Sequence, residues 1–277
     1  MTILTGKVLF VSGGTGSFGT AFIIQALKQK PKAIRIYSRG EFLHSEMKRR
    51  FGELPNLRYF IGDIRDRDRL DSLMRDVDYV VHAAALKHVS LGERNPQEFI
   101  KTNVIGSLNV LETAVRHKVK KVIGISSDKA VNPISSYGMS KGLMERLFCD
   151  ANLFAAPMTL ISCIRSGNFW DSRGSVIPLW REQSKKGVIT LTDMEMSRYW
   201  IELPAIAQFT IDCLQNMKGG EIIIPKMGEQ LLIDIARDMF PNCEIKVTEK
   251  LNIERVRERL FAEHEIPVDC GNYWVVK

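Results

Sequence analysis

The chain predicts an α/β protein, a doubly wound parallel sheet followed by a smaller C-terminal lobe. Three observations lead there. Short apolar runs alternate with helical patterns from residue 7 to residue 165, the rhythm of strand–helix–strand units. A glycine-rich turn, Ser12-Gly13-Gly14-Thr15-Gly16-Ser17-Phe18-Gly19, follows the first apolar run. Beyond Arg165 the alternation fades, and residues 167–200 are richer in Gly, Ser, Trp and Arg.

Lys7–Val11 reads as the first strand, and a helical pattern runs from the glycine turn through Leu27. Ala33–Tyr37 is the second strand, which completes a βαβ unit. Arg58–Ile61, Tyr79–Ala84, Lys121–Ser126 and Met158–Arg165 continue the strands. Between them fall helices at Arg67–Arg75, at Gln97–His117 (one long helix) and at Tyr137–Ala151. In the second lobe, Asp234–Met239 and Ile253–Glu263 have the spacing of short amphipathic helices around one more strand. The chain is expected to return to the sheet near Pro204–Leu214.

Composition narrows the class. With 277 residues, 45% apolar and 26% charged, the chain can bury a full core. No apolar run approaches the roughly 18 residues of a membrane helix, and Met1–Val11 lacks the features of a signal peptide. Cys149, Cys163, Cys213, Cys243 and Cys270 are scattered without a C-x-x-C pair. That pattern predicts reduced thiols in a cytoplasmic protein, with neither disulfides nor a metal site. The net charge is +7, and Lys48-Arg49-Arg50 forms a cluster. Acids are interspersed throughout, so no nucleic-acid partner is expected; a few placed cations for a small anionic ligand would also account for the charge.

Gly13, Gly16 and Gly19, with Thr15, Ser17 and Phe18 between them, sit between strand and helix. Glycine there lets backbone amides approach a pyrophosphate at a helix N-terminus, which predicts a dinucleotide site; the alternative is a plain tight turn. The second strand ends in Ser38-Arg39, where an NAD site usually carries an acid. A hydroxyl and a guanidinium suit a 2′-phosphate, so the expected cofactor is NADP unless Arg39 is merely a surface residue. Asp63-Ile64 would contact adenine, and Ala83-Ala84-Ala85 would form a small-residue wall. The expected division is a cofactor domain over 1–165 and a substrate lobe over 166–277, with part of 200–217 rejoining the first.

Tyr137 and Lys141 are four residues apart and so share a helix face. A nearby ammonium lowers the phenol from its ordinary pKa of about 10 and makes it a usable base. Just upstream stand Ser127-Asp128-Lys129. Taken singly, these could be a half-buried core phenol and a loop salt bridge.

Together these residues resemble the extended short-chain dehydrogenase/reductase superfamily with its Rossmann-like fold, in which Tyr-x-x-x-Lys is the catalytic pair. More narrowly, the chain is similar to the inverting UDP-N-acetylglucosamine 4,6-dehydratases. The matching segments include Ser12–Gly19, Gly62–Asp66, His82–His88, Thr102–Gly106, Ser127–Pro133 and Ser136–Lys141, then Ser172–Pro178, Thr190–Asp193 and Gly220–Lys226. The resemblance implies an internal NADP cycle: oxidation at carbon 4, loss of water across carbons 5 and 6, and hydride return to carbon 6. Tyr137 would take the 4-hydroxyl proton, and Lys141 would hold the cofactor ribose. A desolvated, neutral Lys129 would take the carbon 5 proton, with Asp128 as general acid for the 6-hydroxyl. A lysine at 129 implies inversion at carbon 5.

By the same resemblance, Lys87, Asn168 and the loop of Arg173, Gly174, Ser175 and Val176 would contact the UDP-sugar. Arg198, Arg255 and Glu258 would hold its diphosphate and ribose, or else be ordinary surface residues of the second lobe. His88 is either near the substrate or simply packed. The chain departs from the family pattern at Gly40, Ser127, Ser166, Phe169, Met194 and Arg257, which bears on the exact sugar. A UDP-sugar epimerase of the same superfamily is the rival reading, and Tyr137 favours the dehydratase over it. A non-catalytic NADP-binding protein would be expected to have lost these groups. Relatives generally self-associate, implying a homo-oligomer.

Overall fold

The computed structural model describes residues 2–249 and 252–277. β1 (Val8–Ser12) is buried along its whole length, as a parallel strand covered on both faces must be. α1 (Ser17–Leu27) follows the glycine turn, and β2 (Ala33–Ser38) pairs parallel with β1. Next come α2 (Glu41–Phe51), β3 (Leu57–Ile61), α3 (Arg67–Met74) and β4 (Tyr79–His82). Asp66 caps α3 by accepting from the Arg69 amide at 2.9 Å. α4 (Val89–Arg94) and α5 (Pro96–Phe99) lead through a π-helical turn, Ile100–Ile105, into α6 (Gly106–Arg116). β5 (Lys121–Ile125), a 3₁₀ turn at Asp128–Ala130, α7 (Ser136–Ala155) and β6 (Leu160–Ile164) complete the first stretch.

β7 (Asn168–Phe169), α8 (Val176–Ser184), β8 (Val188–Leu191) and β9 (Ser197–Ile201) leave the large sheet. α9 (Leu203–Asn216) comes back to pack on α1, and β10 (Ile222–Pro225) pairs parallel with β6. The chain departs once more as β11 (Gly228–Leu231), α10 (Leu232–Met239) and β12 (Glu244–Val247). It ends in β13 (Val268–Asp269) and β14 (Tyr273–Val276), the latter antiparallel to β10. The large sheet runs β13-β14-β10-β6-β5-β4-β1-β2-β3, with small sheets β11-β9-β7 and β12-β8 beside it. This is the doubly wound α/β class. Among the described residues no helix is long and apolar enough to cross a membrane.

Alternate residues of β1 feed the two faces of the sheet. Val8 and Phe10 join Leu70, Leu111 and Phe148, whereas Leu9 and Val11 join Phe22 and Ile206. A third core, centred on Trp180, Ile189 and Trp200, holds the small sheets together. Each such large apolar side chain contributes roughly 1.5–3 kcal/mol by burial.

Two expectations need correction. Gln97–His117 is not one regular helix, because the π turn interrupts it. The widened turn carries Asn103, whose amide grips the backbone of Leu86 from both sides at 2.8 Å. Ile253–Glu263 is not helical: the Val256 carbonyl accepts from the Ser197 amide at 3.0 Å and from Arg198 at 3.1 Å, so the segment is tied to β9 instead. α2 and the β13–β14 pair were not anticipated.

At the end of β6, Arg165 makes a buried double clamp. It donates to Glu145 at 2.8 and 3.0 Å, to Glu265 through two 2.7 Å bonds, and to the Leu260 carbonyl at 2.9 Å. Arg165→Met would strand two buried carboxylates, and a loss of about 3–5 kcal/mol is expected from urea denaturation. Burial pushes the Glu265 carboxyl up, but the Arg165 bonds outweigh it and hold it below the usual value. A depressed carboxylate adds stability above its unfolded pKa of about 4.3 and loses it as pH falls through the folded value. Arg165→Met should therefore flatten the acid limb of the stability profile.

Candidate active site

A cavity of about 580 Å³ opens over the glycine turn, between Gly16–Gly19, Ala83, Ala85 and Arg39 on one side and Phe169 and Arg173 on the other. Gly13 has φ of +68°, and a Cβ there would lie 2.7 Å from the Ala84 amide nitrogen. A Cβ on Gly19 would lie 2.5 Å from the Gly13 carbonyl. These two glycines are thus demanded by the turn's own packing. Gly16 is the N-cap of α1 and offers no side chain to its first-turn amides, which leaves them for an anion. Phe18 stacks on Phe169 at 5.7 Å to form one wall.

Thr15 and Ser38 touch through their hydroxyls at 2.8 Å. Arg39 is half-exposed and 3.8 Å from Asp63. The Asp63 carboxylate is also held by Arg65 at 2.7 Å; burial works against its charge, but the Arg65 bonds prevail and keep it below the ordinary carboxylate value. Neither Asp63 nor Ile64 lines the cavity; Ile64 is buried against α6, where a Cβ on Gly106 would meet it at 2.7 Å. The Asp63 carboxylate is paired with arginines, and the Ile64 side chain belongs to the core. Ala84 likewise lies beneath Gly13, not in the wall.

Beside this cavity the chemistry-bearing groups converge. Ser135 caps α7 by accepting from the Gly138 amide at 3.2 Å, which sets Tyr137 in the first turn. Gly138 lies so close to the 3₁₀ turn that a Cβ would be 2.2 Å from the Lys129 carbonyl. Asp128 is fully buried and held by Ser127 Oγ at 2.9 Å, while its Oδ2 has no partner among the described residues. Lys129 Nζ lies 3.1 Å from Asp128, 3.3 Å from Glu258 and 3.3 Å from Asn168 Oδ1. Four residues expected at the site, from distant parts of the chain, thus meet at one ammonium.

The charge states differ from expectation. Burial works against the Lys129 ammonium, but Asp128 and Glu258 outweigh it, and the pKa is raised despite Arg198 nearby. Lys129 rests charged, so the expectation of a neutral amine fails. Burial raises the Tyr137 phenol; the Lys129 ammonium and a hydrogen bond from Ser127 oppose this, and Asp128 reinforces it. Lys141 is not its neighbouring cation. The Lys141 ammonium turns beneath α7 to donate to the Ile125 carbonyl at 2.6 Å, and burial pulls its pKa down to about 8 against Cys163 and Glu145.

The other expected substrate contacts fall in two places. Lys87, exposed overall, lines the large cavity beside Arg173; partial desolvation there first, and that guanidinium second, lower its pKa. Arg173 itself reaches the glycine turn, donating to the Thr15 carbonyl and, from its amide, to Ser17 Oγ at 3.0 Å. Gly174, with φ of +71°, sits against His88, which is exposed on the cavity wall and not packed in a core. Ser175 occupies the N-cap position of α8 without a side-chain cap bond, and Val176 begins the helix. Arg198, Arg255 and Glu258 line a smaller cavity of about 80 Å³ with Lys129. There the guanidiniums are already engaged: Arg198 with the Ser197 and Val256 carbonyls, and Arg255 with those of Val131 and Asn132. Each guanidinium has five N–H donors and keeps others beyond these bonds.

Two contributors escaped the sequence. Asn103, by fixing Leu86, positions the Lys87–His88 edge; the Thr102–Gly106 match was a signal for it. His44, fully inside α2 and bonded to Ser38 at 3.0 Å, had no motif to reveal it.

A family of proteins described as polysaccharide biosynthesis proteins matches residues 9–270. A UDP-N-acetylglucosamine 4,6-dehydratase (inverting) from Campylobacter jejuni is 40% identical over 276 residues, 98% of this chain and 82% of that protein. A UDP-glucose 4-epimerase from Rickettsia conorii is 38% identical over 94% of this chain and 79% of that protein. The crystal structure of Pen from Bacillus thuringiensis superposes with a TM-score of 0.95 at 36% identity, covering 99% of this chain and 87% of that one. More distant structures, 18–23% identical, share the fold and include dTDP-glucose 4,6-dehydratases with NAD bound.

Proposed function

The chain belongs to the polysaccharide biosynthesis protein family, and from that premise we propose that it is a UDP-N-acetylglucosamine 4,6-dehydratase of the inverting type. The observation that carries this reading is the partly buried Lys129 ammonium paired with the buried Asp128 beside Tyr137 and bridged to Glu258. Elimination needs an acid for the departing 6-hydroxyl and a base for the carbon 5 proton. At 3.1 Å the pair can exchange one proton internally, turning ammonium and carboxylate into amine and carboxylic acid without drawing on solvent. The carbon 5 proton then goes to Lys129 and the Asp128 proton leaves with the hydroxyl as water. The ion pair is restored at the end, so Lys129 has no need to rest neutral. Tyr137 takes the 4-hydroxyl proton.

The first-turn amides of α1, with Ala83, Ala85 and Arg39, suit a nicotinamide dinucleotide, and Lys141 would meet its ribose. When bound, that group stores the hydride from carbon 4 until its return to carbon 6. Ser38 and Arg39 support NADP as the form used, and the absence of an acid at the end of β2 supports it further. Exposed Ile105, Met139, Leu143 and Phe154, on and beside α6 and α7, support a homo-oligomer. Five free cysteines support a cytoplasmic setting.

The test is incubation with UDP-N-acetylglucosamine, without added cofactor, followed by mass spectrometry. Loss of one water is expected. Altered stereochemistry at unchanged mass would assign the epimerase activity instead, and no conversion would remove both. Nucleotide extracted from the purified protein should be NADP; extracted NAD would overturn the cofactor assignment.

A further inference from the structure

His44 is buried in the first turns of α2, 5% exposed, and no step above uses it. Its Nε2 lies 3.0 Å from Ser38 Oγ and 3.1 Å from the Ser38 carbonyl. A carbonyl only accepts, so it is answered when Nε2 carries the proton, and that one N–H is then shared between the Ser38 carbonyl and Ser38 Oγ. Nδ1 is then bare, and it is buried with no partner. Ser38 Oγ, facing an N–H, accepts and has its own proton left to give. That proton goes to Thr15 Oγ1 at 2.8 Å. The Thr15 proton is in turn free to point outward. Thr15 lines a cavity of about 560 Å³ that also carries Arg49, Arg50 and Arg173, with Glu46 as the opposing charge. A hydroxyl opening on a cavity lined by three arginines, of which Arg49 is paired with Glu46 and Arg173 donates to the Thr15 carbonyl, suits a phosphate.

We propose that His44 is a positioning residue that sets the direction of the Ser38–Thr15 hydroxyl pair, so that Thr15 donates to a phosphate on the 2′ position of the adenosine ribose. This rests on the NADP reading given above. Burial lowers the His44 pKa, opposed by the bond to the Ser38 backbone, and keeps the ring neutral with one fixed donor. A leucine at 44 would leave the Ser38 hydroxyl free to turn, and Thr15 free to spend its proton on Ser38. A glutamine would supply an N–H in place of Nε2.

The experiment titrates the whole chain with adenosine 2′,5′-bisphosphate and with adenosine 5′-monophosphate, in wild type, His44→Leu and His44→Gln. Wild type should prefer the bisphosphate. His44→Leu should lower that preference about tenfold, the scale of one hydrogen bond to a charged group, with monophosphate affinity unchanged. His44→Gln should restore most of it. Nitrogen NMR of labelled histidine should place the His44 proton on Nε2. A His44→Leu variant that keeps the wild-type preference, or weakens both nucleotides equally, would overturn the role of His44 while leaving NADP standing. A proton on Nδ1 would do the same. A wild type without preference for the bisphosphate would remove the NADP reading and the His44 role together.

Discussion

Replacing Lys129 by methionine should slow dehydration by about 10²–10⁴-fold, the range for loss of a general base, while nucleotide stays bound. Methionine keeps most of the volume but removes the charge between Asp128 and Glu258, 3.1 and 3.3 Å away. Two buried carboxylates left together cannot both stay ionised, so one takes up a proton. The variant therefore loses the base, and its carboxyl proton comes from solvent instead of from the lysine. The structural cost of breaking a buried ion pair, roughly 3–5 kcal/mol, is separated from this by denaturation curves. The decisive readout is solvent deuterium at carbon 5 of recovered sugar nucleotide: wild type should incorporate it and Lys129→Met should not. A variant that still exchanges carbon 5 would take lysine out of the mechanism.

Gly138→Ala is expected to be nearly as damaging, though it removes no functional group. The added methyl would stand 2.2 Å from the Lys129 carbonyl and 3.0 Å from Pro133 Cβ. Backbone cannot give way as a flexible side chain would, so α7 and the Asp128–Ala130 turn must separate by about 1 Å to reach ordinary contact. That displaces Tyr137 from Lys129, and misplacement on this scale costs about 100-fold in rate. The overpacking itself destabilises by about 1–3 kcal/mol. Turnover should fall with nucleotide affinity unchanged, because the glycine turn lies on other elements. Unaltered turnover would show that the two elements need not meet this closely.

Which features could be read from the sequence follows from how far apart the cooperating residues lie. Strand and helix alternation is local, so β1 to β6 could be read with boundaries shifted by a residue or two. Tyr137 and Lys141 were legible from helical spacing, and Asp128–Lys129 from resemblance. The protonation of Lys129 was not, because Glu258 enters only when the C-terminal segment crosses the site. Nor was the conformation of residues 253–263. Its apolar spacing suits a helix, but Val256 is bonded to β9 and Arg255 to the loop after the 3₁₀ turn. The Asp63 ion pair was out of reach for a related reason: its carboxylate is answered by Arg65 two residues on, a pairing that a strand-end rule does not address.

Arg173 binds the glycine turn from across the cleft, joining the segment after β7 to the Thr15 carbonyl and Ser17. Where a dinucleotide lodged beneath this crossing strap, its departure would be slowed. For a dehydrogenase that must trade spent coenzyme for fresh after every cycle, such slow egress would throttle throughput. For a catalyst that lends two electrons and recovers them from the same sugar, long residence carries no such penalty.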